Sequence, residues 1–444
     1  MAAPNLFSGI AVLIDDEIQD NTSNIRAIQA QIEEKGCHVV GMNSLPDATK
    51  LANLSTASFF VVDWNLHGRA LTDEFGTPAA PAPAGLTEQH ISEMIQFLKE
   101  LKKVRFAPVF IFTNESVEAI LDELREHHDL YDENDPSHIS VVSKDDILAR
   151  GVFNVLTAWL QQAPSAYVLK RWELEYEKAK NALFLDFYAK SVHWPVILKK
   201  TFEDDEVPPS AELGNLIGRN LLSRMTPFEF DLEAFDDAPL KSLEADQVNY
   251  RKTLMKVLEG ERFLPKDQLH MTSISAGDVF KEGEHYFVNI RPDCDCVARQ
   301  GKQPDEIELY LLRGDKLTTP KVAKLYSTIY GTLKETEAET IVFAMTNGIS
   351  VSFRLKELST GTWGEWKEKR IGRLLPPFLT RLQQRYAAYL QRPGITRVPE
   401  AAVDLSSITS EHLEVQPAET IAGTPISWIR RLLLQIADLF DRPR

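Results

Sequence analysis

The stretch Ile10-Ala11-Val12-Leu13-Ile14-Asp15-Asp16-Glu17 decides the fold of the first third of this chain. It is an unbroken apolar run of strand length that ends abruptly on carboxylates. Three later stretches have the same form: Phe59-Phe60-Val61-Val62-Asp63, Val109-Phe110-Ile111-Phe112-Thr113 and Ile139-Ser140-Val141-Val142-Ser143-Lys144. Such runs are typical of strands buried on both faces. The sequence therefore predicts an α/β fold in which helices cover a parallel sheet.

Polar side chains follow each run where the predicted strand ends. The first run ends on carboxylates, the second on Asp63, the third on Thr113 and the fourth on Lys144. Ligands of open α/β sheets lie beyond the carboxyl ends of the strands. Carboxylates suit Mg²⁺ and can act as nucleophiles, while a hydroxyl and an ammonium can hold phosphoryl oxygens. The pattern predicts a site for a hard cation and a phosphoryl group.

These features, in this order, resemble the receiver domain of two-component response regulators over residues 1–163. The stretch Asp63-Trp64-Asn65-Leu66-His67-Gly68 also looks like a compressed form of the loop after the family's phosphoacceptor. The resemblance implies a doubly wound, flavodoxin-like sheet of five parallel strands. It also implies a bacterial, cytoplasmic signalling protein that takes part in a phosphorelay.

The resemblance implies a phosphoacceptor and a magnesium site. Asp63 would attack a phosphoryl donor to form an acyl phosphate. Asp15 and Asp16 would hold Mg²⁺ together with Asp63 and the backbone carbonyl of Asn65. Magnesium keeps several waters and needs few protein carboxylates, so this ligand set is sufficient.

Two further residues and a partner follow from the same resemblance. Lys144 would pair with the phosphoacceptor or with the attached phosphate. Thr113 would move to hydrogen-bond the phosphoryl group and so report its presence. The implied donor is a cognate histidine kinase or another phosphodonor.

The chain departs from the family pattern at several positions. Asp145 stands where the family has proline, Asn114 where it prefers a small residue, and Val141 where it places an aromatic switch residue. An insertion at 69–86, rich in proline and alanine, is expected to be extended beside the site. These departures leave open a second interpretation, a pseudo-receiver that docks partners without phosphorylation.

Length and composition bound the rest of the chain. At 444 residues, roughly two or three domains are expected. No apolar run is long enough to span a bilayer and no signal peptide is present, so we expect a cytoplasmic protein. A net charge of −16 argues against a protein that coats nucleic acid, which makes nucleic acid an unfavoured partner. The cysteines are Cys37, Cys294 and Cys296; we expect the last two to be a reduced pair, with a zinc site as the alternative.

Helices are predicted after the receiver-like part. The apolar spacing over 146–162 predicts one helix, and residues 163–165 are expected to form a hinge. A long helix is predicted from Tyr167 to about Ser191. That helix either continues from the receiver or belongs to the core of the next domain. The region 166–268 is an acidic, helical connection, in which 213–225 is a further helix.

The period changes to that of strands over residues 269–360. Lys281-Glu282-Gly283-Glu284 and Asn347-Gly348 are the two hairpin signals. The sequence predicts a small β-rich, barrel-like module. Asp293 and Asp295 can bind a metal, but no nucleophile–base pattern accompanies them.

Helices and a linker complete the predicted organisation. A basic helical segment occupies 361–396, with a helix from Leu374 to Leu390 that carries Arg381 and Arg385. A linker spans 397–423. The region 424–444 is an amphipathic helix, expected to bind another protein or another copy of this chain rather than lipid; packing on its own chain is the alternative.

The sequence favours a signalling protein in which phosphorylation of Asp63, or partner docking, controls an atypical output. Such proteins resemble components of bacterial multi-gene systems, including defence systems. Two alternatives stay open: a receiver-regulated enzyme or nuclease-like effector, and a transcription regulator that uses the basic helix around Arg381. Beyond phosphoryl transfer to its own receiver, the sequence favours a protein without enzyme activity.

Overall fold

A computed structural model provides the structure of the protein. It describes residues 6–54, 56–66, 84–104, 106–131, 138–225, 238–270, 273–299 and 303–394, together with 396, 398, 399 and 402. The chain divides into two compact units. The N-terminal unit lies within 1–201 and 209–245, and the C-terminal unit within 202–208 and 246–444. None of the described helices is long and apolar enough to cross a lipid bilayer.

The N-terminal unit begins with alternating strands and helices and continues with helices alone. Its elements are β1 (Ile10–Ile14), α1 (Asn24–Glu34), β2 (His38–Met42), α2 (Ala48–Asn53), β3 (Ala57–Val62), α3 (Ala84–Val104), β4 (Val109–Thr113), α4 (Val117–Arg125), β5 (Ile139–Ser143), α5 (Lys144–Arg150), α6 (Val152–Gln162), α7 (Pro164–Lys190), α8 (Trp194–Asp204), α9 (Pro209–Arg224) and α10 (Ala238–Ala245).

The five strands form one parallel sheet in the order β2-β1-β3-β4-β5. Every residue of β3 and β4 is buried, because helices cover both faces. Val12 and Val62 pack into a core on one face, and Leu13 and Val61 into a second core on the other. The predicted α/β fold with a five-stranded parallel sheet is confirmed. The edge strand β2 lacks a buried apolar run, so the sequence pattern did not locate it.

The predicted single helix over 146–162 is wrong. Two helices, α5 and α6, meet at Gly151, whose φ of 84° lies in the left-handed region that favours glycine. The backbone N–H of Gly151 closes α5 by donating to the carbonyl of Ile147 at 2.8 Å. The predicted hinge at 163–165 is also absent from the described chain, since α7 begins at Pro164 after the single residue Ala163.

The long helix predicted from Tyr167 is confirmed as α7, and its first turns belong to the core of the N-terminal unit. Ala166 and Tyr167 pack in the same core as α1 and α6. Lys170, only 2% exposed, donates through Nζ to Ser58 Oγ at 3.0 Å and to Glu173 Oε2 at 2.8 Å. The helix therefore continues from the sheet domain. The shorter helix predicted over 213–225 is α9, which starts earlier than expected.

The C-terminal unit is mostly antiparallel β-structure. Its elements are α11 (Gln247–Arg262), β6 (Phe263–Pro265), β7 (Asp278–Glu282), β8 (His285–Asn289), β9 (Glu308–Leu317), α12 (Thr319–Leu325), β10 (Tyr326–Ser327), β11 (Thr332–Leu333), β12 (Glu339–Thr346), β13 (Ile349–Thr362), α13 (Trp363–Trp366), β14 (Arg370–Leu374) and α14 (Phe378–Gln391).

Seven strands form a curled antiparallel sheet in the order β12-β13-β9-β8-β7-β14-β6, and β10 and β11 form a separate hairpin. Both predicted hairpins are confirmed, as β7–β8 and β12–β13. Asn347 and Gly348 have φ values of 47° and 67°, as a two-residue hairpin turn requires. Leu379 and Leu382 of α14 pack into the main core of the sheet.

The sheet extends past both ends of the predicted 269–360 module, because β6 precedes it and β14 follows it. Leu374, predicted as the first residue of a helix, is instead the buried last residue of β14, and α14 starts at Phe378. The predicted amphipathic helix at 424–444, the linker at 403–423 and most of the insertion at 69–86 lie outside the described residues.

Candidate functional site at the strand ends of the N-terminal unit

The strand ends singled out by the sequence meet at one edge of the parallel sheet. Ile14 pairs with Val62, and Val62 pairs with Ile111, so the three central strands end side by side. The backbone N–H of Asp63 donates to the carbonyl of Ile14 at 2.8 Å. This contact places the carboxylate that follows β3 beside Asp15, which follows β1.

Lys144 lies in the middle of the site although it follows β5, two strands away from β3. Its side chain is 1% exposed, and Nζ donates to Asp15 Oδ2 at 2.7 Å and to Asp63 Oδ2 at 2.8 Å. The first residue of α5 thereby binds two carboxylates from different strands. Ser143 fixes the start of this helix, since its Oγ accepts the backbone N–H of Asp146 at 3.1 Å.

Three carboxylates form a group that can hold a metal ion. Asp15, Asp16 and Asp63 each place a carboxylate oxygen within 4.8 Å of the others. Asp15 is fully buried, whereas Asp16 is half-buried and forms no ion pair with a described residue. An oxygen-only donor set with one uncommitted carboxylate fits a hard cation such as Mg²⁺. Among the described residues this is the only such group of acidic, histidine or cysteine side chains.

The charges of the site are unbalanced. Burial raises the pKa of Asp63 to about 6; Lys144 lowers it in part, and Asp15 adds to the rise. Burial, Asp15 and Glu17 also raise the pKa of Asp16. Burial disfavours the ammonium of Lys144, but Asp63 and Asp15 outweigh this effect and raise its pKa. One ammonium thus faces three carboxylates, and a bound cation would relieve their repulsion.

Thr113 ends β4 at the same edge, opposite Ser143 of β5. It is fully buried, and its Oγ1 accepts the backbone N–H of Glu115 at 3.0 Å. Glu115 also reaches the loop after β3, because its Oε1 accepts from Asn65 Nδ2 at 2.9 Å. The backbone N–H of Asn65 in turn lies 3.4 Å from Asp63 Oδ1. Hydrogen bonds through Glu115 thus connect Thr113 with Asn65 in the loop after β3.

Glu115 is the site residue that sequence reasoning missed. It is exposed and connects the loops after β3 and β4 across the entrance. No spacing in the sequence marks it, because its partner Asn65 is 50 positions away. The sequence signal that could have identified Glu115 was its position, two residues after Thr113, the last residue of β4.

Two departures from the receiver pattern lie near the strand ends, at Asn114 and Asp145, and the third, Val141, lies within β5. Asn114 is exposed, Asp145 is exposed at the start of α5, and Val141 is half-buried against the core that contains Val62. No protein-family model matches the sequence, and a search of curated proteins also found no match.

Among the described residues, Asp293 and Asp295, the second metal candidate predicted from the sequence, belong to no group of three side chains that could hold a metal ion. Asp293 Oδ1 accepts from Ser275 Oγ at 2.6 Å and from the backbone N–H of Ala276 at 2.8 Å, so it stabilises a turn. Cys294 is exposed while Cys296 is buried, and burial raises the pKa of the Cys296 thiol to about 11. The two cysteines lie in a turn rather than on a strand, and their side chains do not share an environment.

We expect Mg²⁺ to raise the melting temperature of the N-terminal unit, and Asp16→Asn to remove most of the increase. A ligand that binds only the folded state stabilises it by mass action, with about 2–4 °C per kcal/mol for a unit of this size. Differential scanning calorimetry with and without Mg²⁺ measures the effect. Asp145→Asn, at an exposed neighbouring carboxylate, is the control and should keep the full increase. Equal increases in both variants would place the metal elsewhere.

Proposed function

We propose that the N-terminal unit is a phosphoryl-accepting receiver in a signalling protein, with Asp63 as the acceptor. The observation that carries the proposal is the contact of Lys144 with both Asp63 and Asp15 beside the free carboxylate of Asp16. A carboxylate nucleophile, an ammonium and carboxylates for a divalent cation are the groups that phosphoryl transfer requires.

The proposed reaction is a single displacement at phosphorus. A carboxylate oxygen of Asp63 attacks the phosphorus of a donor such as a histidine kinase or a small acyl phosphate. The bond between phosphorus and the donor's leaving atom breaks, the leaving group keeps the electron pair, and an acyl phosphate forms on Asp63. Asp63 is 8% exposed and Asp15 is fully buried, so Asp63 is the more accessible of the two carboxylates that Lys144 binds.

The neighbouring groups stabilise the charge that moves during transfer. Mg²⁺ held by Asp15, Asp16, Asp63 and the Asn65 carbonyl would neutralise phosphoryl oxygens. The Lys144 ammonium, released from Asp63 as its carboxylate is phosphorylated, would pair with the phosphoryl group. Thr113 would exchange its bond with Glu115 for one to a phosphoryl oxygen, and this exchange would report phosphorylation to the loop after β4.

The C-terminal unit would supply the output, for which we favour protein binding over DNA binding. Arg381 of the basic helix pairs with Glu335, and Arg385 donates to the carbonyls of Thr336 and Glu339 at 2.7 and 2.9 Å. These arginines are committed within their own unit, which weakens the interpretation as a transcription regulator. A pseudo-receiver that docks partners through the same edge is the competing proposal.

Incubation with acetyl phosphate or phosphoramidate and Mg²⁺ is expected to add the mass of one phosphoryl group to the intact protein. Asp63→Asn should abolish the addition, and Asp16→Asn should slow it strongly, because the cation ligand is lost. Since Asp63 must be ionised to attack, the rate should fall as the pH drops below about 6. Intact-mass spectrometry follows the reaction.

Asp145→Asn is the matched control, because this carboxylate is exposed one residue after Lys144. It should be phosphorylated like the unaltered protein. No mass increase with any donor in the unaltered protein, under conditions where Mg²⁺ is bound, would favour the pseudo-receiver instead.

A further inference from the structure

A short hairpin in the C-terminal unit exposes two large apolar side chains. Ile329 and Tyr330 lie between β10 and β11 and are 83% and 79% exposed, more than any other large apolar residue among those the structure describes. Such side chains at the tip of a loop contribute nothing to the core of their own unit. Adjacent apolar side chains at the tip of a loop are available for contact with a second surface.

The hairpin holds this tip in a defined position. Tyr326 pairs with Leu333 and Ser327 with Thr332. The backbone N–H of Gly331 donates to the carbonyl of Ser327 at 2.9 Å and closes the turn. The tip is therefore a built feature rather than a frayed end.

Lysines that form no ion pair with a described residue flank the base of the hairpin in sequence. The stretch 316–334 contains no acidic residue, although the chain has a net charge of −16. Its lysines are all exposed, and none forms an ion pair with a described residue: Lys316, Lys321, Lys324 and Lys334. Lys324 and Lys334 stand on either side of the hairpin base, where the backbone N–H of Lys334 donates to the carbonyl of Leu325 at 2.7 Å.

The spacing between charge and tip fits a membrane interface. Two residues of extended chain, Tyr326 and Ser327, separate the base from the turn, about 7 Å at the usual rise of a strand. Apolar side chains of interfacial proteins enter the boundary between headgroups and acyl chains by about 5–10 Å. With Ile329 and Tyr330 at that depth, the lysines would lie level with the lipid phosphates.

The composition favours lipid over nucleic acid as the anionic surface. The stretch 316–334 contains no arginine, asparagine or glutamine, three of the residue types that read base edges in grooves. Isoleucine cannot stack on a base as an aromatic ring does. Lysine near an anionic surface together with an inserted aliphatic and a tyrosine is the pattern of interfacial binding.

We propose that the 326–333 hairpin docks the C-terminal unit on a membrane surface rich in anionic phospholipid, with Ile329 and Tyr330 inserted. Full-length protein should float with vesicles of phosphatidylglycerol and phosphatidylcholine, but not with phosphatidylcholine alone. The double variant Ile329→Ser/Tyr330→Ser should weaken binding at least tenfold. Lys324→Gln/Lys334→Gln should weaken it about thirtyfold, since each lysine contributes roughly a factor of five.

Two control pairs in the same unit test whether the position matters. Val257→Ser/Leu390→Ser removes apolar side chains that are 65% and 63% exposed elsewhere, and Lys252→Gln/Lys256→Gln removes exposed charge from α11. Both should bind like the unaltered protein. Binding of the unaltered protein should also fall steeply with salt, a readout that needs no variant.

Several results would overturn the proposal. The protein could fail to float with anionic vesicles, or it could float equally well with neutral vesicles. The hairpin variants and the control variants could also lose binding equally. Displacement from vesicles by single-stranded DNA that binds more tightly than lipid would assign the patch to nucleic acid instead.

Discussion

Lys144→Met is expected to lower the local free energy of unfolding of the parallel sheet by about 3–5 kcal/mol at pH 8. The change removes the ammonium that Asp15 and Asp63 share. Asp15 is fully buried, so neither water nor another cation of the described chain replaces this ammonium. Methionine preserves the length and packing of the side chain, so the loss reports the missing charge. The cost should shrink toward acidic pH, because protonation of a carboxylate removes the repulsion. Hydrogen exchange measured by mass spectrometry on peptides from β1 and β3 gives the local free energy.

Lys170→Met is the matched control for this experiment. Lys170 is also buried in the N-terminal unit, at 2% exposure, but its partners include a neutral hydroxyl and Glu173, whose side chain is 31% exposed. Its loss should cost less, about 1–3 kcal/mol, and vary little with pH. A larger loss for Lys170→Met than for Lys144→Met would contradict the assignment of Lys144 as the counter-ion of the site.

Asp63→Asn is expected to stabilise the N-terminal unit by about 1–3 kcal/mol at pH 8 in the absence of Mg²⁺. Burial raises the pKa of Asp63 to about 6, above the ordinary 3.8. Between these values the folded state binds more protons than the unfolded state, so the stability of the unaltered protein falls as the pH rises through this window. Asparagine carries no charge and escapes the loss, while its oxygen can still accept from Lys144.

The gain from Asp63→Asn should disappear below about pH 4, where the aspartate is protonated in both states. It should also shrink on addition of Mg²⁺, which offsets the repulsion in the unaltered protein. Denaturant titrations at pH 4, 6 and 8, monitored by hydrogen exchange in β3, follow the trend. Asp145→Asn serves again as control and should be neutral at each pH. Destabilisation by Asp63→Asn at pH 8 would show that the carboxylate is net favourable where it stands.

Local sequence patterns predicted the strands that carry the site. The runs that end at Asp15, Asp63, Thr113 and Lys144 are β1, β3, β4 and β5. The continuous apolar runs of β1, β3 and β4 follow from burial on both faces. Of the two edge strands, β5 keeps an apolar run, whereas β2 has no buried residue and escaped the pattern. The break at Gly151 escaped because apolar spacing continues through both α5 and α6. In the C-terminal unit, the turn residues were sufficient to predict the β12–β13 hairpin. The strands β6 and β14 were too short to give a recognisable pattern.

The sequence by itself determined which residue types stand at the ends of the buried strands, because these patterns are local and repeat with a fixed period. Only the tertiary structure decided which of them touch. Lys144 is 129 positions from Asp15 and 81 from Asp63, and it reaches both from β5 across the intervening β4. Strand order and register set such distances, and both depend on the packing of the two cores rather than on any local period. The same distinction holds for the basic residues of α14. Their charge was visible in the sequence, but their pairing with Glu335 required the fold.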